Sequence, residues 1–203
     1  MNISTSLSRQ HIVAALAALF LGLFSHPALA DWQLDADNSH LSYGSIKKNS
    51  IGESNHFQKI DGRISEDGDI TLVIDLASVE TWVDIRNTRM MKFLFNTEEF
   101  AVATLTGQVD MDSFNNLEVG EKVTLDVAFS LNLHGSQQPL EAELVVLRLA
   151  KDKVVVLPHE IIFLDAEKFG LLPGLKKLQE LAKLPSISSA VPLAFYLTFN
   201  HTP

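Results

Sequence analysis

Carboxylate and imidazole side chains are the groups in this sequence best suited to acid–base or metal chemistry. Glu98 and Glu99 are adjacent, so their side chains diverge on a helix or a strand and are poorly placed to flank one glycosidic bond. The seven histidines form no H-E-x-x-H motif or comparable metal spacing. His159 and Glu160 are more typical of a strand edge than of a ligand set. We therefore expect no catalytic residue and no metal site.

Motifs for covalent catalysis and for nucleotide binding are also missing from the sequence. It contains neither G-x-S-x-G nor a glycine-rich phosphate loop. The absence of cysteine excludes disulfides, thiolate metal sites and cysteine nucleophiles. With 16 basic and 25 acidic residues the net charge is −9, which leaves no surplus of cations to displace counterions from nucleic-acid phosphates. We expect a protein that is not an enzyme, needs no cofactor and does not bind nucleic acid.

Residues 1–30 have the parts of a secretory signal peptide. Arg9 and the free amine form a basic end, and residues 12–24 are an apolar run shorter than the roughly 20 residues that cross a bilayer. Ala28-Leu29-Ala30 fits the small-x-small cleavage pattern. We expect cleavage after Ala30, a mature domain of residues 31–203 and a periplasmic location; an uncleaved membrane anchor is the alternative.

Alternation of apolar and polar residues dominates the mature chain and predicts an all-β fold. Every odd position from Val123 to Leu133 is apolar, which is typical of a half-buried antiparallel strand. The same pattern occurs at residues 70–76 and 191–199. Eight or so long strands joined by short turns predict a closed up-and-down barrel or a sandwich, and an eight-stranded barrel is either filled by side chains or holds one ligand. Weaker strands are expected at residues 39–46, 51–64, 101–109, 140–149 and 154–164.

Two segments interrupt the strands and predict helical additions to the fold. Residues 78–100 combine aromatic, methionine and arginine residues, which favours a cap over one barrel mouth or a surface helix packed on the rim. Residues 173–185 carry leucines at helical spacing and end at Pro185. This second helix either packs against the barrel or makes transient contact with an anionic membrane surface through its lysines.

Six short motifs follow one another along the mature chain. They are Asp31-Trp32-Gln33-Leu34-Asp35 with Asn38-Ser39-His40, Phe57-Gln58-Lys59-Ile60-Asp61-Gly62, Leu76-Ala77-Ser78-Val79-Glu80-Thr81, Arg86-Asn87-Thr88-Arg89-Met90 with Phe93-Leu94-Phe95-Asn96, Leu131-Asn132-Leu133-His134-Gly135, and Lys168-Phe169-Gly170-Leu171. In this order they resemble the YceI-like family of exported isoprenoid-binding proteins. The resemblance implies a lipocalin-like eight-stranded antiparallel β-barrel whose apolar interior holds a polyisoprenoid chain, such as a quinone tail, without catalysis.

The expected site is therefore an apolar surface rather than a set of reactive groups. An isoprenoid tail gains about 0.8 kcal/mol per buried CH₂ and needs almost no hydrogen bonds. Arg86 and Arg89 are candidates for contact with the head group, or they bind barrel-end carbonyls or a carboxylate. The expected lining and cap residues are Leu72, Ile74, Trp82, Met90, Phe93, Ala103, Leu105, Val127, Phe129, Leu131, Phe195 and Leu197.

An alternative assigns the same apolar residues a purely structural role. They would then fill a solid barrel that acts as a stress-related or protein-interaction module without a lipid guest. The two hypotheses differ in whether the interior is empty. In either case we expect a monomer or a homodimer.

Overall fold

The alternating segments form β-strands, and a computed structural model describes them for residues 31–202. The predicted signal peptide, residues 1–30, lies outside the described residues. The strands are β1 Asp31–Leu34, β2 His40–Lys47, β3 Ile51–Phe57, β4 Ile60–Ile64, β5 Asp69–Asp75, β6 Val79–Glu80, β7 Val102–Gln108, β8 Lys122–Leu133, β9 Ser136–Ala150, β10 Lys153–Pro158, β11 Ile162–Asp165 and β12 Ala190–Thr202.

Hydrogen bonding joins eight of these strands into a closed antiparallel barrel. The order is β1-β4-β5-β7-β8-β9-β10-β12, and β12 pairs with β1 to close the ring. The N-terminal half of β12 pairs with β2 and β11, so each of these two strands continues the line of β1 or β10 toward one end of the barrel. The predicted eight-stranded antiparallel barrel is confirmed.

Two strands that the alternation predicts as continuous are each broken once. Residues 51–64 form β3 and β4, because the amides of Gln58 and Lys59 leave the sheet and bind the carbonyl and hydroxyl oxygens of Ser78. Residues 154–164 form β10 and β11, and β10 ends at Pro158. A proline has no N–H to continue a strand ladder. At each break the chain changes its strand partner.

One end of the barrel is closed by a cluster around Trp32. The Trp32 ring meets Phe114 edge to face, with ring centroids 5.0 Å apart. Phe114 belongs to helix α2, Met111–Asn115, which follows β7 and covers this end. The Arg148 guanidinium lies 5.2 Å from the Trp32 ring centre and donates 3.0 Å to the Phe114 carbonyl. These contacts form a packed floor.

Helices cover the opposite end of the barrel. They are α1, Asp84–Arg89, a π-helical turn, Met90–Phe95, and α3, Leu172–Leu181. Gly174 of α3 packs so closely on this turn that a Cβ atom there would lie 2.4 Å from the Phe93 carbonyl oxygen. The helix predicted at residues 173–185 therefore packs over the barrel, and it ends early because Lys183 adopts a left-handed φ of 52°. Within residues 31–202, no helix combines the length and apolarity needed to cross a bilayer.

Among residues 31–202, the wall of the barrel has a seam between residues 136–143 of β9 and β11. The ladder between β9 and β10 stops at the pair Leu144 and Pro158, and β11 pairs with β12 but not with β9. His159 bridges the seam at its base, where its amide donates 2.9 Å to the Glu143 carbonyl and its Nδ1 lies 2.6 Å from Glu143 Oε2. Above this base no backbone ladder joins β9 to β11, and a groove lined by residues 140–143 and 160–163 follows the seam.

Candidate ligand-binding cavity

The barrel encloses a cavity of about 410 Å³ above the Trp32 floor. Its middle is lined by inward-facing apolar side chains of β5, β7, β8 and β12, and several of these, such as Leu105, remain half-buried because they face this space. The predicted residues that line it are Leu72, Ile74, Met90, Ala103, Leu105, Val127, Phe129, Leu131, Phe195 and Leu197. The interior is thus not filled by side chains, which contradicts the structural part of the filled-core alternative.

The predicted cap contributes to the cavity through its inner face only. Met90, Leu94 and Phe95 of the π-helical turn point inward and are buried. Phe93 lies on the outer face of the same turn, is 36 % exposed, and does not line the cavity. The expectation that Phe93 lines the cavity was wrong, because Met90, Leu94 and Phe95 form the inward face of this turn and Phe93 lies on the opposite face.

The expectation that Trp82 contributes to the lining or cap of the cavity was also wrong. The residue is 77 % exposed and lies outside the cavity. Its backbone adopts a left-handed φ of 63°, and its amide donates to the Glu80 carboxylate. Asn87 holds the same carboxylate by a 2.9 Å bond from its side-chain amide. This network directs the indole of Trp82 toward solvent. The pattern of apolar residues in the sequence does not indicate this change of side-chain direction.

The mouth of the cavity, at the ends of β2 and α1, carries its charged groups. Lys47, Arg86 and Arg89 line it. Arg86 donates from Nη1 to Glu53 and from Nη2 to the Thr81 carbonyl, each at 2.5 Å, so the structural role considered for this arginine is present. Lys47 binds the same Glu53 carboxylate. Within residues 31–202, the Arg89 side chain makes no ion pair or hydrogen bond.

Two acid–base groups near the mouth have shifted pKa values. The hydrogen bond from Lys47 holds the pKa of Glu53 below its usual range. Partial burial raises this pKa, and the charge of Arg86 lowers it further. Burial raises the pKa of the Tyr43 hydroxyl, so this group stays neutral. The Tyr43 hydroxyl contacts the Met90 sulfur at 3.7 Å, a weak acceptor. The mouth therefore holds cations and a neutral donor beside one ionised carboxylate.

Lys47 and Tyr43 are cavity residues that the sequence prediction missed. Leu41, Tyr43, Ser45 and Lys47 are alternate residues of β2 and all line the cavity. The period of two that identified the inner face of β8 also marks these positions. Apolar residues on and after α3, including Leu175, Leu178, Leu184 and Ile187, complete the lining, and only the tertiary packing of α3 brings them there.

Comparison with known proteins identifies the family. The sequence profile of the YceI-like domain matches residues 32–199. The chain belongs to the YceI-like domain family. The resemblance inferred from its motifs is confirmed, and the matched segment contains every strand of the barrel except the first residue of β1 and the last residues of β12.

Solved structures share the architecture of this YceI-like domain. A structure from Saccharophagus degradans, described as a polyisoprenoid binding domain implicated in plant cell wall breakdown, is 38 % identical with a TM-score of 0.84, covering 86 % of this chain and 99 % of that one. BcnA of Burkholderia cenocepacia is 16 % identical with a TM-score of 0.64, over 81 % and 98 % of the two chains. The YceI protein of Campylobacter jejuni is 13 % identical with a TM-score of 0.56, over 73 % and 85 %.

The last two likenesses concern the fold alone. No curated protein sequence matches the chain significantly.

Proposed function

We propose that this YceI-like domain binds an isoprenoid lipid or quinone, holds its tail in the barrel cavity, and acts as a carrier or store. The observation that carries the proposal is the unfilled apolar cavity of about 410 Å³, which extends from the Trp32 floor to exposed apolar residues of the mouth such as Ile85. The Saccharophagus domain described as polyisoprenoid binding supports the same ligand class.

The cavity suits a long hydrocarbon chain for energetic reasons. Each CH₂ of the tail that leaves water contributes about 0.8 kcal/mol, so a few prenyl units are enough for tight binding. Ordering of a flexible tail opposes this gain. In the middle of the barrel the tail would meet only hydrocarbon groups, so it could bind without hydrogen bonds. The cavity would then select a tail by its length and thickness.

We also propose that binding occurs without catalysis. The polar side chains lining the cavity, Ser45, Lys47, Arg86, Arg89 and Ser188 with the Tyr43 hydroxyl, include no carboxylate or imidazole to move a proton. Residues 31–202 hold no group of three or more histidine, cysteine or acidic side chains that could bind a metal. Turnover of a bound quinone by the purified protein would contradict this part of the proposal.

We also propose a cellular location for the protein, based on its sequence. Residues 1–30 are proposed to direct export and to be removed after Ala30, which leaves the domain of residues 31–203 in the periplasm as a monomer or homodimer. Transient contact with a membrane surface would allow lipid to be loaded. N-terminal sequencing of the protein from a periplasmic fraction tests both the cleavage point and the location.

Mass spectrometry of organic extracts from the purified protein tests the ligand. We expect a stoichiometric prenyl lipid or quinone in the native protein. Phe129→Asp should abolish its retention, because the carboxylate would enter an apolar cavity without a partner. Ala128→Asp makes the same charge change on the exposed face of the same strand and should retain the lipid.

A second cavity variant tests the proposal if Phe129→Asp does not fold. Ala142 is half-buried on the inner face of β9, so Ala142→Leu narrows the cavity without introducing a charge. We expect it to fold and to lose most of the bound lipid, whereas Ala128→Leu should keep it. A folded Ala142→Leu protein with normal lipid content, or native protein without any lipid, would overturn the proposal.

A further inference from the structure

We propose that the open end of the barrel docks on the surface of an anionic lipid bilayer. This inference rests on the proposed function, since it names the partner with which the cavity would exchange its lipid. Its basis is the rim of the mouth, which consists of residues 45–53, 82–89 and 182–188. These three segments combine exposed apolar side chains with an excess of positive charge.

Hydrogen bonds join the three rim segments into one surface. The Lys48 amide donates 3.1 Å to the Ser186 carbonyl, so the hairpin between β2 and β3 is fixed to the segment that follows α3. Arg86 of α1 donates to Glu53 on β3, which attaches the same hairpin to the cap. The rim can therefore meet a flat surface as one unit.

Apolar side chains of the rim are exposed to solvent. Val83 and Ile85 are exposed, and both also line the entrance of the cavity. Ile51 is exposed and lies opposite Lys47 in the ladder between β2 and β3, so its side chain is on the same face as a residue that lines the mouth. Apolar groups that cluster in this way are typical of a surface that contacts a protein or a membrane. Along these groups a hydrocarbon tail can pass between a bilayer and the cavity without entering water.

Trp82 extends this apolar surface along the outer side of the hairpin, where its ring lies 5.3 Å from that of His56. Its backbone has a left-handed φ of 63°, and Glu80 and Asn87 fix the conformation that exposes the indole. A strained conformation that turns a large apolar ring toward water indicates a role other than stability. Indole rings are enriched at the boundary between lipid and water, because they combine an apolar body with an N–H donor.

The charge of the rim favours an anionic partner. The three segments carry five basic residues and two acidic ones, Glu53 and Asp84, whereas the whole chain has a net charge of −9. The basic residues are Lys47, Lys48, Arg86, Arg89 and Lys183. An anionic bilayer therefore attracts this end of the molecule and repels the rest, which directs the mouth toward the lipid. Such a bilayer supplies both the anionic and the apolar contacts that the rim can make.

Vesicle sedimentation with the purified protein tests this surface. The probes are vesicles of phosphatidylcholine alone and vesicles in which about one third of the lipid is the anionic phosphatidylglycerol. We expect binding to the anionic vesicles to be at least about tenfold tighter than to the neutral ones, because the rim carries a surplus of cations. This binding should weaken as the salt concentration is raised.

Tryptophan fluorescence reports which end of the molecule contacts the bilayer. The chain has two tryptophans, of which Trp32 is buried in the barrel floor and Trp82 is exposed beside the mouth. Anionic vesicles should shift the emission to shorter wavelength, and lipids with brominated acyl chains should quench it. Both effects should be lost in Trp82→Phe, since Trp32 stays far from the bilayer. Vesicle binding without a change in Trp82 emission would overturn the proposal.

Two rim residues that do not line the cavity separate docking from lipid storage. Lys48→Gln removes a cation and Ile51→Ser removes an exposed apolar side chain, and each should weaken binding to anionic vesicles about fivefold. Lys122→Gln, at the start of β8, and Val119→Ser, in the loop before it, are the matched controls. Both residues are exposed at the floor end of the barrel, so neither substitution should change vesicle binding.

The outcomes distinguish this inference from the proposed function. Equal binding to neutral and anionic vesicles, or rim variants that bind as the native protein does, overturns the inference, and a prenyl lipid in the organic extract then leaves the carrier proposal intact. If Ile51→Ser converts a dimer to a monomer without changing vesicle binding, the rim joins two copies of the chain and the docking proposal is wrong. Native protein that docks through the rim but yields no lipid contradicts the carrier proposal instead.

Discussion

Glu53 shows how one side chain organises the mouth of the cavity. Its carboxylate accepts hydrogen bonds from Lys47 on the neighbouring strand β2 and from Arg86 on α1. Glu53, on β3, therefore joins the barrel wall to the cap. These cations keep the pKa of Glu53 below its ordinary value of 4.5. A group whose pKa is lower in the folded than in the unfolded protein stabilises the fold above the unfolded value, and this contribution is lost as the pH falls through the folded value.

Acid should therefore loosen the attachment of the cap. We expect Glu53→Gln to lower the free energy of unfolding at pH 7 by less than about 1 kcal/mol, since the pair is partly exposed. The difference from the native protein should disappear as the pH falls below the pKa of Glu53. Thermal unfolding of both proteins across acidic and neutral pH measures this, with Glu66→Gln in an exposed turn as control. A difference that persists in acid would contradict the assignment.

Residue-level prediction succeeded where a position is set by strand alternation alone. The inner face of β8 was identified because Val127, Phe129 and Leu131 are apolar at every second position, and the same spacing of two residues on β2 leads from Tyr43 to Lys47. It failed at Trp82, whose direction depends on a positive φ and on a hydrogen bond to Glu80. Such a conformation is fixed by tertiary contacts and leaves no periodic trace in the sequence.

The hairpin between β8 and β9 is an element whose geometry depends on glycine. His134 and Gly135 form its two-residue turn with φ values of 54° and 74°, as the right-handed twist of two long strands requires. A Cβ atom at position 135 would also lie 2.9 Å from the Phe100 ring. Both the backbone conformation and the packing therefore demand glycine here.

Gly135→Ala should destabilise the protein measurably. We expect a loss of about 1–2 kcal/mol from the left-handed conformation, in addition to the contact with Phe100. Urea unfolding measures the loss. Gly52→Ala is the matched control, because its Cβ would meet no atom within 4 Å and Gly52 is not left-handed; we expect a change within about 0.5 kcal/mol. Equal effects of the two substitutions would contradict this account of the turn.

The elements were predicted more securely than their ends. Alternation identifies a strand because one face meets the apolar interior, so β5, β8 and β12 agree with the patterns at residues 70–76, 123–133 and 191–199. The break between β3 and β4 depends in addition on Ser78, which binds the amides of Gln58 and Lys59, and a strand pattern does not identify this partner. Pro158, by contrast, was a local signal for the end of β10.

At the scale of the whole molecule, the sequence did not determine whether the barrel interior is filled, and the closed barrel answers this question. Alternation states which side chains point inward but not how far apart the opposing walls lie. The diameter follows from the number and stagger of the strands, which are properties of the complete ring. The cavity of about 410 Å³ is therefore a consequence of closure rather than of any single residue.

Removal of a bound lipid should lower the stability of the whole barrel. A ligand present at about 100 times its Kd adds about 2.7 kcal/mol to the free energy of unfolding, because it binds only the folded state. For a domain of this size the loss corresponds to a fall in Tm of roughly 5–10 °C. Calorimetry before and after lipid extraction, followed by reloading, measures it. An unchanged Tm after complete extraction and restored loading would contradict binding within the cavity.

The seam has a consequence for how these molecules behave when crowded together. An uncovered strand edge invites a neighbouring molecule to add a strand, which is a route to fibrous precipitates. Counted from the hairpin pair Leu133 and Ser136, the position of Pro139 directs its missing N–H toward the seam, and Pro158 ends the facing ladder. Glu141, Glu143 and Glu160 add like charges along the same groove. The opening can thus persist in a concentrated solution without seeding insoluble assemblies.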